Sequence, residues 1–246
     1  MTNTMLKTSL SEIFAIWLLA GLCFVVVGVI SSSLLGIPLQ QLKFNEFIIL
    51  FQGLVFLCAG IWALGFAGLN AELGIVGGTG VGKSCAIVLK YFLFFLLAAT
   101  IVIGILWLAV VISPQAMESL NKDYSRVANE ISQQKEYLFG TVFRSHLRTA
   151  VYLLGTCFLV PVEEEIFFRR FFYTGFKERL GTGYAVGISS VIFGIVHPSS
   201  PLLGITMGVF LALIYEKHKN LLINIATHGL VNFSILIAKD IITPMF

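Results

Sequence analysis

Residues 161–170 read PVEEEIFFRR and lie inside a stretch that is otherwise rich in Leu, Val, Phe and Ile. Three consecutive carboxylates, Glu163 to Glu165, are followed by two guanidinium groups, Arg169 and Arg170. Moving such groups out of water costs several kcal/mol each unless they are paired or hydrated. An apolar chain gains no packing energy from this cluster, so we interpret it as a functional site at membrane depth.

The composition indicates an integral, multi-pass membrane protein. Of the 246 residues, 57% are hydrophobic and 12% are charged, whereas soluble domains are about 25% charged. The formal net charge is only +3 and no long Lys/Arg block is present, so we expect the lipid bilayer, and no nucleic acid, as a partner. The four cysteines show no CxxC or CxxH spacing, which predicts free, buried thiols.

Seven apolar runs predict an all-α fold, a polytopic transmembrane helix bundle of about seven to eight spans. The first run has an uninterrupted apolar core over residues 13–30, which is longer than the roughly 7–15 residues of a signal peptide. We therefore expect a retained helix there. The runs are 12–36, 47–69, 86–112, 147–180, 184–197, 202–215 and 221–238.

The runs group into three parts. Residues 1–113 are predicted to hold three transmembrane helices, and residues 147–240 a four-helix catalytic core. Between them, residues 114–146 form the one sizeable polar segment, in which apolar residues recur at three- and four-residue steps. This spacing predicts an amphipathic helix outside the membrane or at its interface, serving as a linker or as a substrate-facing lid.

A second motif, GGTGVGKS at residues 77–84, matches the phosphate-binding P-loop pattern. That loop must leave a buried parallel strand and enter a soluble helix to bind a phosphate. Here the preceding residues 73–76 are too few for such a strand, and the following residues lead into a transmembrane run. We therefore predict a flexible interhelical loop and do not expect ATP or GTP binding.

Three further polar residues interrupt apolar runs: His197, His228 and Asn232. Alone, each is more often structural than catalytic. At 1.5 Å per residue, Glu164 lies about 25 Å below the turn at 181–183, and His197 about 20 Å below it. His228 and Asn232 share one helix face and lie roughly 14–20 Å below the next polar turn. Groups from three helices are therefore expected to meet at one depth.

The local spacing assigns different roles to the two central carboxylates. Glu165 and Arg169 are four residues apart with Glu first, the favourable order for a helical ion pair. Glu164 is turned about 100° away and is left to act on another group. Phe193 precedes His197 by four residues and is expected to pack beside its ring as a wall of a dry pocket.

Together these motifs resemble those of the CAAX protease and bacteriocin-processing (CPBP) family, which includes the type II CAAX prenyl endopeptidases. The resemblance covers about residues 148–235 and depends on three motifs in this order on separate apolar runs. They are Glu164-Glu165-x-x-x-Arg169, Phe193-x-x-x-His197 and His228-x-x-x-Asn232.

The resemblance implies an intramembrane endopeptidase with a helical catalytic bundle. Glu164 with His197 would activate a water molecule, and His228 with Asn232 would stabilise the tetrahedral oxyanion. The substrate would be a membrane-associated or lipidated peptide, through CAAX-type processing or bacteriocin and leader-peptide processing, in a bacterial or archaeal cell membrane.

The same resemblance gives the Glu165–Arg169 pair an orienting role in the site. One position departs from the family pattern, because Arg170 stands where relatives usually carry Gly. The backbone approach at that point is therefore expected to differ from that of the relatives.

A metal ion is the main open alternative in the chemistry. Family members are often labelled metalloproteases, and Glu164, His197 and His228 could bind Zn²⁺ with one position left for water. No HExxH pair is present, and the second His shares its helix face with Asn, a poor zinc ligand. We favour a reaction without a cofactor.

Two other classes of protein would use the same polar groups. A non-catalytic bacteriocin-immunity or peptide-binding membrane protein would use the pocket for binding alone. A transporter or proton relay also needs buried carboxylates and histidines, although no repeated half-structure is present in the sequence.

Overall fold

A computed structural model describes residues 10–36, 45–72, 81–112, 129, 132–197 and 200–242. Within these ranges all of the regular structure is helical, as the sequence predicts. The eight helices are α1 (Leu10–Leu35), α2 (Glu46–Glu72), α3 (Val81–Ile112), α4 (132–142), α5 (146–180), α6 (Thr182–Ile195), α7 (Pro201–His218) and α8 (Leu221–Ile242).

Four of the described helices are long and apolar enough to cross a membrane. Their outer surfaces carry large apolar side chains, such as Leu19 and Trp62, whose exposed fractions are 65% and 75%. In water such a surface would be unfavourable, but it suits contact with lipid. The protein is therefore an integral membrane protein, while the number of seven to eight spans stays a prediction. The candidate spans are Ser11–Leu34, Glu46–Leu64, Gly82–Ile101 and Leu221–Ala238.

The cysteines are free, as predicted, but the prediction that they are buried was wrong. Cys23, Cys58 and Cys85 are exposed, and Cys157 is half-buried. Apolar runs in this chain have a lipid-facing side as well as a core-facing side, and a thiol is tolerated on either.

Helix α5 contains the PVEEEIFFRR stretch and includes two π-helical segments. It is α-helical over His146–Leu154, π-helical over Gly155–Leu159, α-helical over Val160–Glu165, π-helical over Ile166–Tyr173 and α-helical over Thr174–Leu180. Gly181 ends it at φ 84°, a conformation that glycine adopts without strain, so the predicted end near Leu180 is confirmed. π-Helical turns are frequent at functional sites, because they change which side chains share a face.

The polar segment predicted for 114–146 lies largely outside the described residues. Its last part forms α4 and then a turn, and Ser145 caps the start of α5. Glu46 at the start of α2 is fully buried, accepts a hydrogen bond from Tyr137 of α4 at 2.8 Å and forms an ion pair with Arg148 of α5. These contacts attach α4 to the N-terminal and C-terminal helices alike.

Small residues let the C-terminal helices approach closely. A Cβ at Gly204 or Gly208 of α7 would lie 2.9 Å from Gly194 Cα or 2.7 Å from Ser190 Cα of α6. Helix α8 is equally close to α5, where a Cβ at Gly229 would clash with the carbonyl oxygen of Cys157. Gly229 directly follows His228, so this contact fixes the depth at which that imidazole lies.

Gly229→Ala is expected to lower the thermal stability of the protein, because a backbone carbonyl within a helix cannot move aside. Overpacking of this kind costs about 1–3 kcal/mol. Thermal unfolding in lipid nanodiscs measures the effect. Gly187→Ala on α6 is the matched control, since its added Cβ meets nothing within 4 Å. Equal melting temperatures for the two variants would contradict the packing argument.

A solvent-accessible ion-pair cluster marks the polar end of α7, outside the four candidate spans. Lys177 contacts both oxygens of Glu216, at 2.7 and 2.8 Å, and Lys219 and Tyr173 also donate to this carboxylate. Burial acts to raise the pKa of Glu216, but the hydrogen bonds from Lys177, Lys219 and Tyr173 outweigh it and lower the pKa to about 2. The charges of this cluster are paired at the surface, whereas the Glu165–Arg169 pair of α5 is buried.

Candidate active site

Three polar side chains from separate parts of the fold lie close together. Glu164 comes from α5, His197 follows the end of α6, and His228 comes from α8. Glu164 Oε1 lies 3.5 Å from His197 Nε2, and Glu164 Oε2 lies 3.5 Å from His228 Nε2. The structure therefore brings together three of the four groups that helical rise predicts at one depth.

Both contacts of Glu164 are longer than a charge-assisted hydrogen bond, which is usually 2.7–2.9 Å. Among the described residues, Glu164 Oε2 has no hydrogen-bond partner despite its burial. Catalytic hydrogen bonds are often long in an enzyme without substrate, and a polar gap of this size suits a bridging water. Glu164 is thus a carboxylate with unused acceptor capacity between two imidazoles.

The neighbouring carboxylate, Glu165, accepts several hydrogen bonds. Glu165 is fully buried and accepts from Arg169 Nε at 2.9 Å, from Asn224 Nδ2 at 3.0 Å and from His228 Nδ1 at 3.0 Å. The structure thus contains the helical Glu165–Arg169 ion pair that the spacing predicts. With three donors, Glu165 has little capacity left for substrate chemistry, so it is suited to orienting its neighbours.

Backbone and carboxylate contacts fix the orientation of both imidazoles. The ring of His197 donates from Nδ1 to the carbonyl oxygen of Phe193 at 2.7 Å, because a carbonyl can only accept. The ring of His228 donates from Nδ1 to Glu165. Each Nε2 is therefore directed at Glu164 and is available either as a lone pair or, in the imidazolium, as a donor.

Phe193 lies at the centre of these groups. Its ring stacks on His197 with centroids 4.5 Å apart and a 27° interplanar angle, and it approaches the ring of His228 at 5.9 Å. The guanidinium carbon of Arg169 lies 5.3 Å from its centroid. Phe193 therefore packs beside the ring of His197 as its spacing predicts, and its ring also faces the cation of the Glu165–Arg169 pair.

Asn232 lies one turn beyond His228 on α8, and its amide Nδ2 donates to the backbone carbonyl of Thr156 at 3.0 Å. Thr156 belongs to the π-helical turn Gly155–Leu159. An amide group has two hydrogens, so this contact leaves one of them for a substrate oxygen. The oxyanion role of Asn232 stays a prediction.

Three residues near the site were not assigned a role by sequence reasoning. Asn224 shares the four-residue spacing of His228 and Asn232 on α8, so that spacing could have identified it. Glu163 is buried and hydrogen-bonds the side chain of Gln52 on α2, a contact that no pattern in the sequence indicates. Arg170, which replaces the usual Gly, is buried in the same π-helical turn as Arg169.

Glu164, His197 and His228 are the residues that would hold a zinc ion, and Glu164 lies 3.5 Å from the Nε2 atom of each imidazole. The described residues contain no group of three or more His, Cys, Asp or Glu placed to hold a metal ion. The reaction without a cofactor stays a prediction.

The C-terminal part of the chain is similar to known proteins. Residues 146–234, which cover α5 to α7 and much of α8, match the family described as type II CAAX prenyl endopeptidase Rce1-like. The protein named "Putative membrane peptidase YdiL" from Bacillus subtilis (strain 168) is 37% identical over 81 residues. That match spans 32% of this chain and 33% of the relative. No solved structure matches the chain.

The helices and the buried polar cluster define an integral membrane protein with a helical bundle around a Glu/His site. Over residues 146–234 the chain is similar to type II CAAX prenyl endopeptidases, in agreement with the resemblance that the motifs indicate.

Proposed function

We propose that the protein is an intramembrane endopeptidase that cleaves a membrane-associated or lipidated peptide. The observation that carries the proposal is the contrast between Glu164 and Glu165. Glu164 faces two imidazoles at 3.5 Å and keeps a buried oxygen with no hydrogen bond among the described residues, whereas Glu165 accepts three hydrogen bonds. Acyl transfer to water needs a base of the first kind and an orienting group of the second.

In the first step, water placed between Glu164 and His197 attacks the peptide carbonyl carbon. A new C–O bond forms, one water proton passes to Glu164, and the carbonyl oxygen becomes an oxyanion. His228 in its imidazolium form donates from Nε2 to that oxyanion, while Glu165 at Nδ1 stabilises the positive ring. The remaining amide hydrogen of Asn232 supplies a second donor.

In the second step, the tetrahedral intermediate collapses and the C–N bond breaks. Glu164 returns its proton to the leaving nitrogen, so the products are a free amine and a new carboxyl terminus. The base then acts as the acid, as microscopic reversibility requires, and no covalent enzyme intermediate forms.

The proposed class of substrate follows from the position of the site among apolar helices and from the name of the Bacillus relative. Glu164 and His228 are buried and the side chain of His197 is about one-third exposed among apolar helices, so a peptide must be held at the bilayer to reach them. CAAX-type tails and bacteriocin or leader peptides both meet this condition. The Bacillus relative is named a membrane peptidase, which favours hydrolysis over binding alone and a bacterial membrane as the location.

The test is a cleavage assay with the full chain in nanodiscs, run in H₂¹⁸O with a panel of prenylated and unmodified membrane peptides. We expect product pairs in which each new carboxyl terminus gains a single ¹⁸O after one turnover. Mass spectrometry also identifies the scissile bond. Activity should persist after exhaustive chelation.

Peptide binding without cleavage across the panel would contradict the endopeptidase proposal. It would favour a non-catalytic bacteriocin-immunity or peptide-binding membrane protein. Loss of cleavage on chelation that only Zn²⁺ restores would overturn the metal-free chemistry while leaving the peptidase.

A further inference from the structure

We propose that Asn224 is a positioning residue that holds the carboxylate of Glu165 in the orientation needed by His228. This inference rests on the proposed function for its kinetic consequence, although the orientation itself can be measured without turnover. The side chain of Asn224 is fully buried on α8, one helical turn before His228.

Both hydrogens of the Asn224 amide are used, and they go to two different helices. Nδ2 donates to Glu165 Oε2 of α5 at 3.0 Å and to the carbonyl oxygen of Leu211 of α7 at 2.8 Å. Because the amide group is planar, these two bonds fix the direction of both N–H bonds. Asn224 therefore fixes Glu165 relative to the backbone of a third helix.

The geometry of the Arg169 pair shows why this restraint is needed. Arginine usually meets a carboxylate through two parallel hydrogen bonds, one from each of two nitrogens. Here Arg169 donates only from Nε, to Oε2, and its two terminal nitrogens have no hydrogen-bond partner among the described residues. The second carboxylate oxygen, Oε1, is left to accept from His228 Nδ1.

Without Asn224, the bidentate arrangement becomes the favourable one. The carboxylate of Glu165 can then rotate so that Oε1 meets a terminal nitrogen of Arg169, and the hydrogen bond to His228 is lost. His228 would lose the group that fixes its ring and stabilises its positive charge. Asn224 thus selects the monodentate pair and through it directs His228 Nε2 towards the site.

A simpler alternative is that Asn224 contributes only as a buried hydrogen-bonding side chain of α8. Thr227 provides the matched control for that general role. Thr227 is fully buried on the same helix, and its hydroxyl donates to the carbonyl oxygen of Ile223 on that helix at 2.7 Å. Thr227→Val therefore removes a buried hydroxyl from α8 and leaves Glu165 unchanged.

The kinetic test compares Asn224→Leu with Thr227→Val in the full chain in nanodiscs. Loss of a group that orients a catalytic imidazole typically costs about 10- to 100-fold, so we expect a fall of that size in kcat for Asn224→Leu, with KM nearly unchanged. Thr227→Val should change neither constant. An unchanged kcat in Asn224→Leu would overturn the proposal.

A second measurement does not depend on peptide cleavage, so it tests the role of Asn224 even if the peptidase proposal fails. In protein labelled with ¹⁵N-histidine, the His228 Nδ1 signal, assigned with His228→Gln, is expected to shift in Asn224→Leu and not in Thr227→Val. A double-mutant cycle tests whether Arg169 causes this shift. Lysine cannot form the two parallel hydrogen bonds of arginine, so in an Arg169→Lys background Asn224→Leu should shift the His228 Nδ1 signal less. An unchanged His228 signal in folded Asn224→Leu would refute the inference even if the protein cleaves nothing.

Discussion

Replacing Glu164 by glutamine is expected to reduce peptide cleavage by about 10²- to 10⁴-fold, the usual contribution of a general base. The amide has nearly the shape of the carboxylate but cannot take a proton from water. Folding should be retained, because Glu164 Oε2 makes no hydrogen bond among the described residues and Oε1 makes only the 3.5 Å contact to His197. Removing a buried, poorly paired charge also carries little energetic penalty.

The matched control is Glu163→Gln, which changes the adjacent buried carboxylate. Glu163 hydrogen-bonds with Gln52 of α2 and its charge also acts on Glu164, so we expect a much smaller change in rate than in Glu164→Gln. Single-turnover rates with a peptide from the cleavage assay, together with melting temperatures, separate chemistry from folding. Native turnover by Glu164→Gln, or an equal loss in both variants, would contradict the assignment of the base.

Much of the fold follows from local properties of the chain. Apolar runs of about 20 residues must be helical in a bilayer, since every backbone polar group needs an internal partner there. The end of α5 was predictable because Gly181 readily adopts the positive φ at which the helix ends. Counting residues from two turns at the average helical rise placed Glu164, His197 and His228 together.

The remaining features depend on contacts across helices, which have no periodic signature. The two π-helical turns of α5 change its register, and a 3.6-residue pattern does not predict them. The approach of Gln52 to Glu163 depends on how α2 packs against α5, and no local motif determines it. Asn224 lies between these cases: its four-residue spacing is visible, but its link to Glu165 is a tertiary contact.

The P-loop pattern illustrates the limits of a motif taken without its context. Within the matched letters GGTGVGKS, residues 81–84 form the first turn of α3, and residues 77–80 lie outside the described part of the chain. No described strand precedes this helix, although a P-loop requires one. The absence of nucleotide binding stays a prediction.

The second large effect is expected in stability. Arg169→Met should lower the free energy of unfolding by about 3–5 kcal/mol, because it leaves Glu165 as a buried carboxylate without its cation. Both side chains of this pair are fully buried. The hydrogen bonds from Asn224 and His228 remain, so we expect a value near the lower limit. Reversible unfolding in mixed micelles gives the measurement.

Lys177→Met provides the control, since Lys177 pairs with Glu216 at 2.7 Å where both side chains are about one-third exposed. A surface pair contributes about 0–1 kcal/mol, so the loss there should be much smaller. The double variant Glu165→Gln with Arg169→Met should be more stable than Arg169→Met alone, because the buried charge is removed with its partner. Equal stability of Arg169→Met and Lys177→Met would show that Glu165 is not held as a buried anion. It would also contradict the role of Glu165 in orienting His228.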